Sequence, residues 1–170
     1  MRVALAIVVP LVAALLQGSV VPFIVIAVAR PNLVVLVAAC WAVAAGPREA
    51  IWWAFLGGIA MDLLSGGPMG AMALASLLPI AAIGLTDTQG RPRSVATGVV
   101  LVGIASAAAA LLYAVILAIV GVALPDLPVL VGTSIGGAVY NAALAIATYP
   151  LLRMLRRSAE KQSSFSGQAW

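Results

Sequence analysis

Asp62 is a carboxylate set in a long apolar stretch and followed at once by Leu63-Leu64-Ser65-Gly66-Gly67-Pro68-Met69-Gly70. In that setting a carboxylate can act as a general acid or base, hold a cation, pair with an arginine, or accept hydrogen bonds at a helix N-terminus. An ionised group at bilayer depth costs roughly 2.5 to 3.5 kcal/mol on insertion scales, less toward an interface, so a partner or nearby water must offset it.

The reactive options run out quickly. There is no histidine, Cys40 is the single cysteine, and no second carboxylate stands near Asp62 to bind a metal or divide acid and base roles. Asp87 and Asp126 belong to other loops, on opposite expected faces. The glycines of 66–70 do not form a phosphate loop, since no Lys-Ser/Thr follows and no strand precedes. The sequence therefore predicts no catalytic residue, no metal, no cofactor and no enzymatic activity. Asp62 or Ser65 is expected to cap the next helix, with Pro68 in its first turn, or Asp62 to pair with Arg30. Gln17 and Asn141 are two further polar residues at membrane depth, each expected to bond a neighbouring helix for about 0.6 to 2 kcal/mol.

The elements that must position these groups are membrane helices. Apolar residues make up 64% of the chain and charged ones 8%, and mean hydropathy is +1.18. Soluble domains are usually about a quarter charged. Crossing a hydrocarbon core of roughly 30 Å takes about 20 apolar residues. Residues 3–29, 95–124 and 129–152 meet that length, while 71–85 is shorter and carries Pro79, which should kink it. Runs 33–45 and 50–61 flank Gly46-Pro47-Arg48-Glu49 and read as a helical hairpin, either two thin spanning helices or a partly re-entrant pair. Met1-Arg2 and the apolar run after it have the outline of a signal peptide, but the apolar core is about twice the usual 7 to 15 residues, so a retained helix is expected. The fold class is an all-α polytopic bundle of about six segments. One membrane domain, 1–157, precedes a polar tail, 158–170, expected to be disordered or to lie along headgroups.

Six segments put Arg2, Arg48, Arg91, Arg93, Arg153, Arg156, Arg157 and Lys161 on one side and only Arg30 on the other. By the positive-inside rule both termini are cytoplasmic, and the 62–70 stretch lies at the outer face. Trp41, Trp52 and Trp53 would then join an aromatic belt near the inner turn. The net charge of +4 is dispersed at helix ends, which fits anionic lipid better than nucleic acid. Small residues at Ala14 and Gly18, Gly58 and Asp62, and Gly132 and Gly136 allow close helix approach, within the chain or in a homo-oligomer.

In this order the residues resemble the rod shape-determining MreD family of bacteria. The likeness runs through Gln17, Arg30-Pro31-Asn32-Leu33, Gly46-Pro47-Arg48, Phe55, Gly57 and Gly58. It continues through the block from Asp62 to Gly70, Ala73-Leu74, Tyr140-Asn141 and the basic ending from Arg153 to Arg157. The family often carries aspartate where this chain has Asn32. The resemblance implies a non-enzymatic inner-membrane scaffold of the cell-wall elongation machinery, governing cell shape and peptidoglycan synthesis. Its implied partners are an MreC-like protein, a RodA-type glycan polymerase with its penicillin-binding transpeptidase, and MreB filaments. Candidate residues for partner contact or loop structure are Arg30, Asn32, Asp62, Ser65, Gly66, Gly67, Pro68 and Gly70. The alternative reading is the substrate-binding membrane subunit of an energy-coupling-factor vitamin transporter. That function needs a pocket gathered from Gln17, Asn32, Asp62, Asn141 and Thr133 or Ser134.

Overall fold

The computed structural model describes residues 2–24, 29–86 and 93–166, with side chains from residue 4 to residue 158. These residues form six α-helices and no strand. They are α1 (Arg2–Ser19), α2 (Leu33–Ala45), α3 (Pro47–Ser65), α4 (Ala71–Leu85), α5 (Val95–Ile119) and α6 (Leu127–Ser166), with a 3-10 turn at Val21–Phe23. Three stretches are long and apolar enough to cross a membrane: Ala4–Phe23, Val95–Ile119 and Leu127–Ser158. The protein is an all-α membrane helix bundle.

Local chemistry sets most boundaries. Asn32 caps α2, its Oδ1 accepting from Val35 N at 3.1 Å. Gly46 closes α2 at φ +96°, a conformation that favours glycine, and Pro47 opens α3 with Glu49 in its first turn. Ser94 caps α5 through Thr97 N at 3.1 Å.

Elsewhere the structure departs from the expected bounds. The first helix stops at Ser19 rather than continuing to residue 29, because Pro22 cannot donate to the ladder and the chain tightens into the 3-10 turn. Helix α3 is longer than expected, running through Asp62 to Ser65, and α5 ends at Ile119 with Gly121 at φ +80° just beyond. The tail, expected to be disordered or to lie along headgroups, continues α6 as helical backbone to Ser166. No glycine or proline interrupts 151–166, and several of its residues are good helix formers. The remaining tail residues, 167–170, lie outside the described ones, as do Asp87 and Arg91.

Helix α2 is the centre of the bundle and packs against all five others. Its sequence is apolar on every side, the pattern of a helix with no solvent face, and nine of its 13 residues are buried. At 1.5 Å per residue it is roughly 20 Å long, well short of the hydrocarbon core. Its ends meet protein groups instead of lipid. The hairpin that reads in sequence as thin or re-entrant is thus a central helix, α2, paired with the longer α3.

Small residues bring the other helices close. A Cβ on Gly58 of α3 would lie 2.4 Å from the Cα of Ala73 on α4, and one on Gly84 of α4 would lie 2.3 Å from Pro47 Cγ. On α6, a Cβ at Gly136 would fall 2.6 Å from Ala29 Cβ. Gly18 and Gly132, by contrast, face open space.

Trp41 and Trp53 correct the expected aromatic belt. They stack at 4.4 Å between ring centroids, 11° apart, inside the main core, and Trp41 Nε1 donates to Glu49 Oε2 at 3.1 Å. Trp52 alone of the three is exposed, edge-on to Phe55.

Candidate functional site

The helices alternate in direction, so one end of the bundle gathers the 62–70 turn, the start of α2, the end of α5 and the start of α6. Asp62 is 1% exposed, and both its oxygens accept from Met72 N, at 3.1 and 3.2 Å. Met72 lies in the first turn of α4, where backbone N–H groups lack helical partners and the helix dipole is positive. The carboxylate of α3 thus caps α4 across the turn. No ion pair joins Asp62 to Arg30 among the described residues, and Arg30 is exposed.

Glycine conformations allow the reversal. Gly66 ends α3 at φ +66° and Gly70 precedes α4 at φ +86°, both left-handed. Pro68 precedes α4 instead of occupying its first turn, and its carbonyl accepts from Ala71 N at 3.2 Å. Ser65 stays within the turn, donating to Asp62 O at 3.3 Å and accepting from Gly67 N at 3.4 Å.

A second polar cluster closes the start of α2. Gln17 of α1 donates to Pro31 O at 2.9 Å and accepts from Leu33 N at 2.7 Å. Asn141 of α6 accepts from Asn32 N at 3.0 Å, and donates to Asn32 O at 3.1 Å and Ser106 Oγ at 2.9 Å. The side-chain amide of Asn32 reaches Met72 Sδ at 3.7 Å, linking this cluster to the Asp62 cap. Every one of these bonds goes to a backbone group or to a neighbouring side chain. The arrangement builds rigidity, since unsatisfied backbone polar groups are costly where no water reaches.

Beside the cluster lies a cavity of about 420 Å³, lined in part by Gln17, Asn32, Thr133, Ser134 and Asn141. Asp62, expected in the same group, is absent from the lining because its carboxylate is turned onto α4. Ser106 and Tyr113 also line the cavity, and neither was singled out in the sequence as a site residue. The signal was there: Ser106, Ala110, Tyr113 and Leu117 recur at helical spacing and share one face of α5. Tyr113 also reaches the 62–70 turn, its hydroxyl 3.5 Å from where a Gly67 Cβ would stand.

A model of the rod shape-determining protein MreD family matches residues 1–159, the whole bundle and most of the long last helix. The chain belongs to the MreD family. Neither curated proteins nor solved structures give a match. As an MreD-family chain it is a membrane protein connected with cell shape, and the Asp62 cap and α2 cluster are features of this MreD-family bundle.

Proposed function

We propose that this chain is a non-enzymatic scaffold of the inner membrane, crossing it several times with both termini in the cytoplasm, and that its 62–70 end docks an MreC-like partner. The observation that carries the reading is the match to MreD over residues 1–159, joined to a bundle whose deep polar groups are spent on helix ends. Asp62, Gln17 and Asn141 serve backbone N–H and C=O groups, which favours a rigid support over catalysis.

The charge distribution supports the orientation. Arg48, Arg93, Arg153, Arg156 and Arg157 gather at the end opposite the 62–70 turn, and Arg30 stands at the same end as that turn. On this reading the turn faces the periplasm. Division of labour within it follows from exposure: Asp62 is sealed and shapes the turn, whereas Arg30, Ser65, Gly66 and Met69 are presented outward. Exposed Leu63 and Leu64 flank them and add apolar area suited to protein contact. A RodA-type polymerase, its transpeptidase and MreB filaments would join through the lipid-facing helices and the cytoplasmic loops. The match to MreD favours this reading over the transporter-subunit alternative.

Cysteine crosslinking in cells tests the docking surface. Cys40 is fully buried, so a cysteine introduced at Ser65 is the accessible thiol. Ile104, exposed midway along α5, serves as the lipid-depth control. Tyr113 is unsuitable for that role because it lies against Gly67. Capture of the MreC-like partner from position 65 and not from position 104 is expected; capture from 104 alone would overturn the assignment.

A further inference from the structure

We propose that the cavity beside the start of α2 binds the phosphate headgroup of a membrane lipid, with Arg30 and Ser134 as its principal donors. At about 420 Å³ it falls within the roughly 300 to 1,000 Å³ typical of small-molecule sites. What sets its chemistry is the hydrogen-bonding capacity left over inside it.

The amides are already committed. Gln17 and Asn141 spend their oxygens and nitrogens on the α2 cluster, and Asn32 spends its oxygen on Val35 N. Thr133 donates to carbonyls of its own helix. Three lining residues carry side-chain polar groups with no hydrogen-bond partner among the described residues: the hydroxyls of Ser134 and Tyr113 and the guanidinium of Arg30, an exposed residue at the cavity. Ser134 is 7% exposed as a residue and stands in the cavity wall. The guanidinium can only donate, and each hydroxyl can donate as well as accept. An occupant that supplies acceptor oxygens satisfies all three.

Charge narrows the class further. Among the described residues Arg30 is the one charged residue in the lining. The nearest acid described in this region, Asp62, has both oxygens on Met72 N. A guanidinium with flanking hydroxyls matches an oxyanion, and arginine suits phosphate through paired, charge-assisted bonds. Between these donors and the end of α5 the wall turns apolar, with Ala110, Leu117 and Leu130. A headgroup carrying an apolar tail fits both surfaces, while free phosphate fits the donors alone.

Native mass spectrometry of the delipidated full chain in mild detergent tests this. The probes are phosphatidylglycerol, diacylglycerol as a lipid without phosphate, and inorganic phosphate as a competitor. Phosphatidylglycerol should be retained and diacylglycerol lost. Arg30→Gln and Ser134→Ala should each lower retention about tenfold, the scale of one charge-assisted or buried hydrogen bond. Ser158→Ala, exposed toward the far end of α6, should leave it unchanged. Displacement by inorganic phosphate would show that the donors suffice; lack of displacement with phosphatidylglycerol still held would show that the tail is needed, and either supports the site. Equal retention of diacylglycerol would overturn the proposal. So would wild-type retention in both cavity variants, with thermal unfolding confirming that each is folded.

Discussion

Asn141 and Asn32 are joined by a paired hydrogen bond: the Oδ1 of Asn141 accepts from Asn32 N at 3.0 Å while its Nδ2 donates to Asn32 O at 3.1 Å. A side-chain amide here does what a neighbouring strand would do for an extended residue. Both backbone groups of Asn32 are satisfied just before α2 begins, where water is scarce. Lower on the same α6, Arg156 donates to Ala44 O near the other end of α2. One helix therefore holds both ends of the short central one.

The pairing requires a donor and an acceptor on one planar group. Asn141→Ala should cost about 1 to 3 kcal/mol, the range for leaving buried polar groups unpaired. Asn141→Asp should cost at least as much, because it loses the donor to Asn32 O and Ser106 Oγ and buries a charge. Thermal unfolding in detergent compares the two. A variant Asn141→Asp as stable as the native chain would refute the paired bond.

Capping by Asp62 depends on an acceptor oxygen at Met72 N. Asp62→Asn keeps one oxygen and should lose less than about 1 kcal/mol, whereas Asp62→Ala should lose about 1 to 2 kcal/mol. The same unfolding assay, with hydrogen exchange at the start of α4, reads both. Equal losses in the two variants would mean that charge, and not the acceptor, is what α4 requires.

Gly58 sets the spacing of α3 and α4. A methyl group there meets backbone, 2.4 Å from Ala73 Cα, so Gly58→Ala should destabilise by about 1 to 3 kcal/mol or more despite its better helix propensity. Gly132→Ala and Gly18→Ala enter open space and should leave monomer stability the same or slightly raised. Size analysis of these two variants doubles as a test of self-association. A homo-oligomer packed on either glycine face would be weakened by the added methyl.

The stacked tryptophans differ in their polar ends. Trp53 Nε1 is buried with no partner among the described residues, while Trp41 Nε1 bonds Glu49. Trp53→Phe should therefore cost less than Trp41→Phe, which loses a charge-assisted bond worth about 1.5 to 3 kcal/mol when intact. Relative unfolding temperatures of the two variants check the order.

Features coded within a few residues were legible in the chain itself. Apolar run lengths gave the membrane bundle and its segments, and α2 occupies the expected 33–45 because Asn32 and Gly46 punctuate it by local hydrogen bonding and backbone freedom. The block from Asp62 to Gly70 announced a tight turn with a capping acid for the same reason. Uniform apolarity of 33–45 also marked a helix without a solvent face, although its shortness drew the reading toward a re-entrant hairpin.

Which groups meet across the bundle was decided only by packing. Gln17, Asn32, Ser106 and Asn141 come from distant parts of the chain and converge on one helix end because Gly57, Gly58 and Gly136 let the helices approach at particular depths. Close approach depends on steric fit between surfaces, which no local pattern records. That fit turned Asp62 toward Met72 instead of Arg30, took Trp41 and Trp53 from the expected belt into the core, and put Ser134 in the wall of a cavity.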